Sequence, residues 1–393
     1  MDLSEKLKYY KQQSAEEKPA NTIPPSLKAL RDHFNGEILF DHAPVLKIQK
    51  QHSYPDFSHK QVAIKLISKN EFSEPIPRDE CVFFDLETTG LAGGAGTFAF
   101  LIGFAYWNDE RIITEQFFLP DFGREYELFN QIQEWLSEFE YIVSFNGKSY
   151  DMPLLSNRFV LNRLNPGFKQ AKHVDLIHMC RRVWKNSMSS CTLKSIEQHL
   201  LNIHRSNDIP GEFIPQAYFD FINTGVIHDI VRMIDHNLQD IISMPLILDR
   251  LHYIHEQPDK LKLDNAAIAS LAKIAFEIND KEYFRIHEKG DVTDKFKFWQ
   301  SLFYKKNNRL NEAYILWQQL MNKPEYCFFA IEESAKYLEH SKKDLIGAIQ
   351  LVNSAFKRLD VQTELGYQLF DPQWQHRFQK RRERLLRKVT AQN

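Results

Sequence analysis

One short stretch, Cys81–Gly90, constrains the fold more than any other part of the chain. Its sequence, CVFFDLETTG, runs from apolar residues into an acid-x-acid pair and stops at glycine, which is typical of a buried strand that ends in a turn. Successive strand side chains point to opposite faces, so Asp85 and Glu87 project from the same side. Because neighbouring carboxylates repel unless a cation lies between them, the pair predicts a divalent-metal site. The alternative is an acidic strand end solvated at the sheet edge.

The composition is that of an ordinary globular protein. The 393 residues are 43% hydrophobic and 26% charged, with a formal net charge of −2, so nucleic-acid binding would have to come from local patches. There is no apolar run close to the roughly 20 residues of a membrane span and no signal-peptide hydrophobic region, so we expect a cytoplasmic protein. The four cysteines form no C-x-x-C pair, which disfavours a zinc site and a disulfide framework.

The hydrophobic pattern divides the chain into three parts. Residues 1–75 carry scattered prolines and lysines with weak patterning, which predicts an N-terminal arm or partial lid. In residues 76–257, runs of β-branched and aromatic residues alternate with helical spacing, which predicts an α/β domain with a long helix over residues 227–251. Residues 258–393 show helical spacing, which predicts an all-α domain.

A glycine-rich stretch, LAGGAGT at residues 91–97, follows the acidic pair and precedes two predicted strands, residues 98–107 and 112–119. It opens no helix and lacks the Lys-Ser/Thr ending of a phosphate-binding P-loop. The stretch therefore favours a flexible turn through which backbone or substrate approaches Asp85 and Glu87, with nucleotide binding as the alternative.

Two later positions are candidates for the same site. Asp151 follows a short buried strand and precedes a helix, so it either caps that helix or adds a third carboxylate where α/β sheets place their sites. His236 and Asp240 are spaced i and i+4 in the long predicted helix and therefore lie on one face. A polar pair on a helix that otherwise faces the core needs a partner or a function, although an exposed pair on a solvated face is the alternative.

Taken together, three motifs resemble those of a known superfamily. Residues 85–90, residues 144–151 and residues 236–240 are similar, in order and separation, to the three motifs of the DnaQ-like (DEDD) 3′–5′ exonucleases of the ribonuclease H-like fold. The likeness covers roughly residues 80–250. Within that superfamily, the sequences GGAGTFAFL, NGKSYD and HNLQD most resemble those of the YprB-type predicted nucleases.

The resemblance assigns roles residue by residue. It implies a ribonuclease H-like mixed sheet flanked by helices, with a catalytic site that binds two Mg²⁺ or Mn²⁺ ions. The implied metal ligands are Asp85, Glu87, Asp151 and Asp240. The implied general base is His236. The implied substrate contacts are Thr88, Gly90, Asn146 and Lys148.

The spacing of the third motif departs from the family pattern. The DnaQ-like branch with a histidine base usually has four residues between histidine and aspartate, whereas three separate His236 from Asp240, as in the branch that uses tyrosine. Tyr150, Tyr218 and His228 are therefore alternative bases.

The chemistry of these residues agrees with the resemblance. Phosphodiester hydrolysis needs an activated water and a stabilised leaving oxygen, which two divalent cations supply together. Four carboxylates are hard oxygen ligands suited to Mg²⁺ or Mn²⁺, and imidazole, with a pKa near 6.5, can take a proton from water. We therefore expect a metal-dependent nuclease, a 3′–5′ exonuclease acting on DNA or RNA. The alternative is a catalytically silent scaffold that binds nucleic acid or protein partners, which four retained carboxylates disfavour.

The helical part carries two further signals. Ala313 and Ala348 are 35 residues apart, close to the 34-residue tetratricopeptide period, which predicts a helical-repeat region that binds a protein partner or packs on the nuclease. An ordinary helical domain is the alternative. Residues 377–388 carry seven basic residues and one acid, which predicts a solvated helix end or a phosphate-binding patch.

Overall fold

The stretch that begins at Cys81 forms an inner strand of a seven-stranded sheet. The computed structural model describes residues 23–54, 59–90, 96–122, 125–256, 261, 263–286, 293–364 and 373–391. The glycine-rich residues 91–95 and the first 22 residues of the predicted arm lie outside the described residues. The chain divides into two compact units, residues 1–262 and residues 263–393.

In the described part of the first unit, the strands follow one another with helices between them. The strands are β1 (Glu37–Leu39), β2 (Val45–Ser53), β3 (Gln61–Val62), β4 (Ile76–Pro77), β5 (Cys81–Thr88), β6 (Ala99–Asn108), β7 (Arg111–Phe118), β8 (Tyr141–Ser144) and β9 (Lys172–Asp175). The α-helices are α1 (Pro25–Phe34), α2 (Tyr126–Leu136), α3 (Asp151–Leu161), α4 (Leu176–Trp184), α5 (Leu193–Ile196), α6 (Ile214–Thr224) and α7 (His228–Glu256). A π-helical turn, Glu197–Leu201, continues α5.

The sheet is mixed, with the order β1-β2-β7-β6-β5-β8-β9. Strands β5, β8 and β9 run parallel, with Phe83 opposite Val143 and Ser144 opposite Asp175, whereas the other neighbours are antiparallel. The carboxyl ends of β5, β8 and β9 therefore meet at one edge. The prediction of a mixed sheet flanked by helices and followed by a helical region is confirmed.

Part of the predicted N-terminal arm belongs to the sheet. Strand β2 pairs antiparallel with β7 over Leu46–Ser53, and Leu46 and Ile48 are buried. Its polar side chains find partners across the strands: the Lys47 Nζ atom lies 3.0 Å from Glu115 Oε2, and Gln49 Nε2 donates to Glu115 Oε1 at 3.1 Å. Because these polar residues blur the period-2 alternation, the sequence pattern did not predict the strand.

Helix α7 packs closely against the centre of the sheet because β6 has a glycine, with no side chain, at the point of contact. A Cβ atom on Gly103 would lie 2.2 Å from Asn237 Oδ1 and 2.9 Å from its Cγ. Gly103 pairs with Asp85 of β5 and with Gln116 of β7. The helix that carries His236 and Asp240 therefore passes directly over the acidic end of β5.

The second unit is helical in its described residues. Its α-helices are α8 (Asn265–Ile278), α9 (Lys281–Ile286), α10 (Asp294–Lys306), α11 (Leu310–Leu320), α12 (Cys327–Tyr337), α13 (Leu345–Glu364) and α14 (Gln373–Thr390). Ala313 and Ala348 are fully buried on α11 and α13. The tetratricopeptide likeness stays a prediction. Across the described residues of both units, no helix is long and apolar enough to cross a membrane.

Most of the basic side chains of the C-terminal helix α14 form ion pairs with acids of the second unit. Arg381, Arg384 and Lys388 all donate to the buried carboxylate of Glu339, at 2.6–3.0 Å. Arg377 pairs with Glu332 in the same way. Four of the seven basic residues predicted as a solvated end or a phosphate-binding patch thus neutralise buried acids.

We expect Gly103→Ala to destabilise the protein by about 1–3 kcal/mol, the usual cost of overpacking a filled core. The added methyl group has to displace Asn237, which is itself held by hydrogen bonds to Asp85 and Gln116. Urea unfolding measures the change in the free energy of unfolding. Gly211→Ala is the matched control, because nothing lies within 4 Å of its added Cβ. Equal stability of the Gly103→Ala protein and the wild type would contradict this close approach.

Candidate active site

Four acidic side chains from three elements converge at the carboxyl end of β5. Strand β5 supplies Asp85 and Glu87, the first turn of α3 supplies Asp151, and α7 supplies Asp240. Burial, together with the charges of Asp240, Glu87 and Asp151, raises the pKa of Asp85 well above its usual value. The four predicted metal ligands are therefore close enough to perturb one another.

The acidic cluster contains more negative charge than its surroundings neutralise. Burial and the charges of Asp240 and Asp151 raise the pKa of Glu87 well above its usual value. Burial, Asp175 and Asp240 raise the pKa of Asp151 to about 7. Carboxyl groups in such a site retain their protons near neutral pH unless a cation binds.

The donor set fits a divalent cation. Glu87, His236 and Asp240 each offer a ligand atom, and these atoms lie within 4.8 Å of one another. Asp85 and Asp151 add further carboxylate oxygens beside them. Hard oxygen donors of this kind suit Mg²⁺ or Mn²⁺, although the geometry does not select one ion.

Asn237 orients the carboxylate of Asp85. Its Nδ2 donates to Asp85 Oδ2 at 2.8 Å, and its Oδ1 accepts from Gln116 Nε2 at 2.8 Å. Asn237 is fully buried. The sequence analysis missed this residue, although a polar side chain among the core positions of a helix was a usable signal.

Arg205 places a cation against the acidic cluster. Its Nε and Nη2 atoms donate to the two carboxylate oxygens of Glu197 at 2.7 and 2.6 Å, and Nη2 also pairs with Asp240 Oδ1. Burial raises the pKa of Asp240, whereas the charge and hydrogen bond of Arg205 oppose that rise. Glu197 lies in the π-helical turn and Arg205 in the segment that follows it, so no helical or strand period marked either residue.

His236 lies between two carboxylates. Its Nδ1 donates to Asp208 Oδ1 at 2.6 Å, and its Nε2 lies 3.6 Å from Asp240 Oδ2. Burial alone would raise the pKa of Asp208, but the hydrogen bond from His236, with help from Arg205 and Lys194, holds it below the usual value. Asp208 is a further site residue that the sequence pattern did not reveal.

The three alternative bases have different surroundings. Tyr218 is fully buried, stacks on Phe100 with a centroid distance of 3.9 Å, and donates its hydroxyl hydrogen to the Leu119 carbonyl. It is a core residue and cannot reach a substrate. His228 is exposed and lies about 12 Å before His236 along the axis of α7, beside Asp229.

Tyr150, the third alternative, is 57% exposed at the rim of a cleft of about 390 Å³. The cleft is also lined by Glu87 and Asp151, so it opens onto the acidic cluster. Its tyrosine is the one of the three alternatives placed to contact a ligand in this cleft.

The predicted substrate contacts divide into two groups. Thr88 and Gly90 line the cleft beside the acids. The backbone N–H groups of Asn146 and Lys148 instead donate to the carboxylate of Asp175, at 2.8 and 3.1 Å. The Lys148 side chain lines a neighbouring pocket, with its Nζ atom 3.4 Å from Glu71 Oε1. The roles of all four residues in substrate binding stay predictions.

Comparison with known proteins agrees with this arrangement. The family model described as the RNase_H superfamily matches residues 82–252, which include every site residue named above. The chain is also 33% identical over 329 residues to the uncharacterized protein YprB of Bacillus subtilis (strain 168), covering 78% of each chain. The chain belongs to the YprB family of the ribonuclease H-like superfamily. Membership of this superfamily indicates a nuclease-type hydrolase and a divalent-metal requirement.

A solved structure similar to this chain is the family B DNA polymerase from the hyperthermophilic archaeon Pyrobaculum calidifontis. The match has a TM-score of 0.36 and 15% sequence identity, and it covers 65% of this chain and 35% of the polymerase chain. The YprB-family assignment rests on the sequence matches alone.

We expect the metal-free protein to lose stability as the pH rises from about 4 to about 7. Asp151, with its pKa raised to about 7, keeps its proton in the folded state and loses it in the unfolded chain over this range. The free energy of unfolding should therefore fall with rising pH, by on the order of 2–4 kcal/mol from Asp151 alone. Thermal melts in EDTA between pH 4 and pH 8 measure the effect.

Asp151→Asn should flatten that pH dependence and raise the melting temperature at pH 7.5 in EDTA, because it removes one repelling charge. Asp220→Asn, an exposed position on α6, is the matched control and should follow the wild-type curve. An Asp151→Asn protein that melts below the wild type at pH 7.5 would show that the carboxylates do not repel one another as described.

Proposed function

We propose that the protein is a metal-dependent nuclease that hydrolyses phosphodiester bonds, acting as a 3′–5′ exonuclease on DNA or RNA with two Mg²⁺ or Mn²⁺ ions. The observation that carries the proposal is the convergence of four carboxylates beside an open cleft, where one arginine of the described residues, Arg205, pairs with Asp240. The 3′–5′ polarity and the number of ions are proposed from the likeness of the three motifs.

In this proposal, Asp85, Glu87, Asp151 and Asp240 would hold the cations, which when bound would supply activation of a water molecule near neutral pH and stabilisation of the leaving oxygen. The residues of the chain do the positioning. Asn237 fixes the Asp85 carboxylate in one orientation through its hydrogen bond. The cleft lined by Glu87, Thr88 and Asp151 has a volume of about 390 Å³, enough for a terminal nucleotide.

His236 is proposed as the general base. Its Nε2 atom faces the cluster, 3.6 Å from Asp240, while its other nitrogen is engaged by Asp208. An imidazole in this position can accept the proton of the attacking water. Tyr150 is the alternative base, because its side chain is exposed at the cleft that contains Glu87 and Asp151.

One observation favours the alternative of a catalytically silent scaffold. Arg205 already pairs with Asp240 and so offsets part of the negative charge that a cation would neutralise. Arg205 shares its charge with Glu197, however, and among the described residues no arginine or lysine forms an ion pair with Asp85, Glu87 or Asp151. The balance of charge therefore supports the nuclease.

We also propose that residues 258–393 form a separate domain that holds a protein partner rather than completing the catalytic site. The support is the division of the chain into two compact units at residues 262 and 263. A chain ending at residue 262 should then fold and cleave a short oligonucleotide as the full chain does. Loss of its fold or its activity would argue against independent units.

We expect the purified full chain to shorten 5′-labelled DNA or RNA from the 3′ end in Mg²⁺ or Mn²⁺ and to leave it intact in EDTA. Asp85→Asn should reduce the rate at least about 100-fold, since loss of even a supporting residue around a metal can cost that much. Gel analysis of single- and double-stranded substrates, labelled at either end, measures rate and polarity.

Asp220→Asn, exposed on α6 away from the acidic cluster, is the control for this assay and should cleave at the wild-type rate. Cleavage in EDTA, or an Asp85→Asn protein as fast as the wild type, would refute the nuclease site proposed here. A wild-type protein that binds oligonucleotides without cleaving them would support the scaffold instead.

A further inference from the structure

We propose that Asp208 is a positioning residue that holds His236 in the Nδ1–H tautomer, so that its Nε2 stays an acceptor directed at the acidic cluster. The inference rests on the proposed function, because it names how His236 serves that site. Its carrying observation is the contact between two side chains that stand 28 residues apart in the sequence.

The hydrogen bond itself determines which nitrogen carries the hydrogen. The Asp208 Oδ1 atom lies 2.6 Å from His236 Nδ1, and the two side chains are only 14% and 16% exposed. An ionised carboxylate can only accept, so Nδ1 must be the donor. In the neutral ring, Nε2 is then an acceptor, and it faces Asp240 Oδ2 at 3.6 Å.

Asp208 is itself held in place by three cationic side chains. Arg232 of α7 donates from Nη2 to the Asp208 carbonyl oxygen at 3.1 Å and from Nε to the Asn207 carbonyl oxygen at 3.3 Å. The second carboxylate oxygen of Asp208 lies 3.5 Å from Lys194 Nζ and 4.0 Å from Arg205 Nη1. The segment that carries Asp208 is therefore fastened to the helix that carries His236.

This contact offers a physical reason why histidine can work at the three-residue spacing. His236 and Asp240 are neighbours on one helix face, so the helix alone does not determine which ring nitrogen points at the site. A partner outside the helix has to select the orientation. Asp208 supplies that selection, and a buried carboxylate behind a histidine is a recurrent way to fix its tautomer.

A double-mutant cycle on the full chain tests the inference by activity. His236→Ala should lower kcat about 10²–10⁴-fold, the usual worth of general-base catalysis. Asp208→Ala should lower kcat by roughly 10-fold or more with little change in KM, and should cost nothing further when added to His236→Ala, because it acts through that ring. Additive losses would indicate a merely structural role and would overturn the inference.

The matched control is Asp220→Ala. Asp220 also accepts a short side-chain hydrogen bond, from Gln216 Nε2 at 2.7 Å, but both residues are exposed on α6 and neither contacts His236 or Asp208. This variant should keep the wild-type kcat. A loss equal to that of Asp208→Ala would mean that removing an exposed carboxylate elsewhere in the unit harms activity equally, which would also overturn the inference.

A second readout needs neither metal nor activity. In EDTA, at a pH at which the ring is neutral, ¹⁵N chemical shifts of the imidazole signal that is missing in His236→Ala should report hydrogen on Nδ1 in the wild type and on Nε2 in a substantial fraction of Asp208→Ala. Unchanged shifts in Asp208→Ala would refute the inference. If the wild type cleaves no substrate, the proposed function fails, and these shifts alone then decide the tautomer.

Discussion

Repulsion among converging carboxylates is the constraint on which the first unit depends. Asp85 and Glu87 on β5 meet Asp151 and Asp240 in a partly buried site, and the charges of Asp240 and Asp151 raise the pKa of both β5 acids. This repulsion lowers the stability of the folded chain, and a divalent cation bound among the four carboxylates would remove it. The close packing at Gly103 and the hydrogen bond from Asn237 hold the acids in place while no cation is bound.

The second unit also contains a buried carboxylate, but basic side chains neutralise it. Glu339 is fully buried, and burial by itself would raise the pKa of its carboxyl group. Hydrogen bonds from Lys388 and Arg384 outweigh that effect and hold the pKa below the usual value. Basic side chains supply the counter-charge there, whereas in the described residues of the first unit Arg205 is the one arginine or lysine that pairs with an acid of the cluster. The contrast between these two groups of buried acids is a physical reason to regard one as structural and the other as a ligand site.

Much of the site could be predicted from the sequence because its acids lie on regular elements. The apolar run before Asp85 marks a strand, and i,i+4 spacing puts His236 and Asp240 on one helix face, so local periodicity placed these residues on their elements. The likeness of the three motifs then joined them with Asp151 in one site. Glu197, Arg205 and Asp208 belong to a π-helical turn and an irregular segment, where no period applies. Tyr218 was a plausible base until its stacking on Phe100 was known, and strand β2 was hidden by polar residues that pair with Glu115. Each of these depends on contacts between residues far apart in the chain.

The most direct test of this account is a count of bound metal ions. Mn²⁺ titration at pH 7.5, followed by electron paramagnetic resonance of the free ion, should show two ions bound per chain in the wild type. Asp85→Asn and Asp151→Asn should each bind fewer, because both acids contribute oxygen ligands to the cluster. A wild-type chain that binds no Mn²⁺ at millimolar concentration would contradict the claim that these four carboxylates converge to hold a cation.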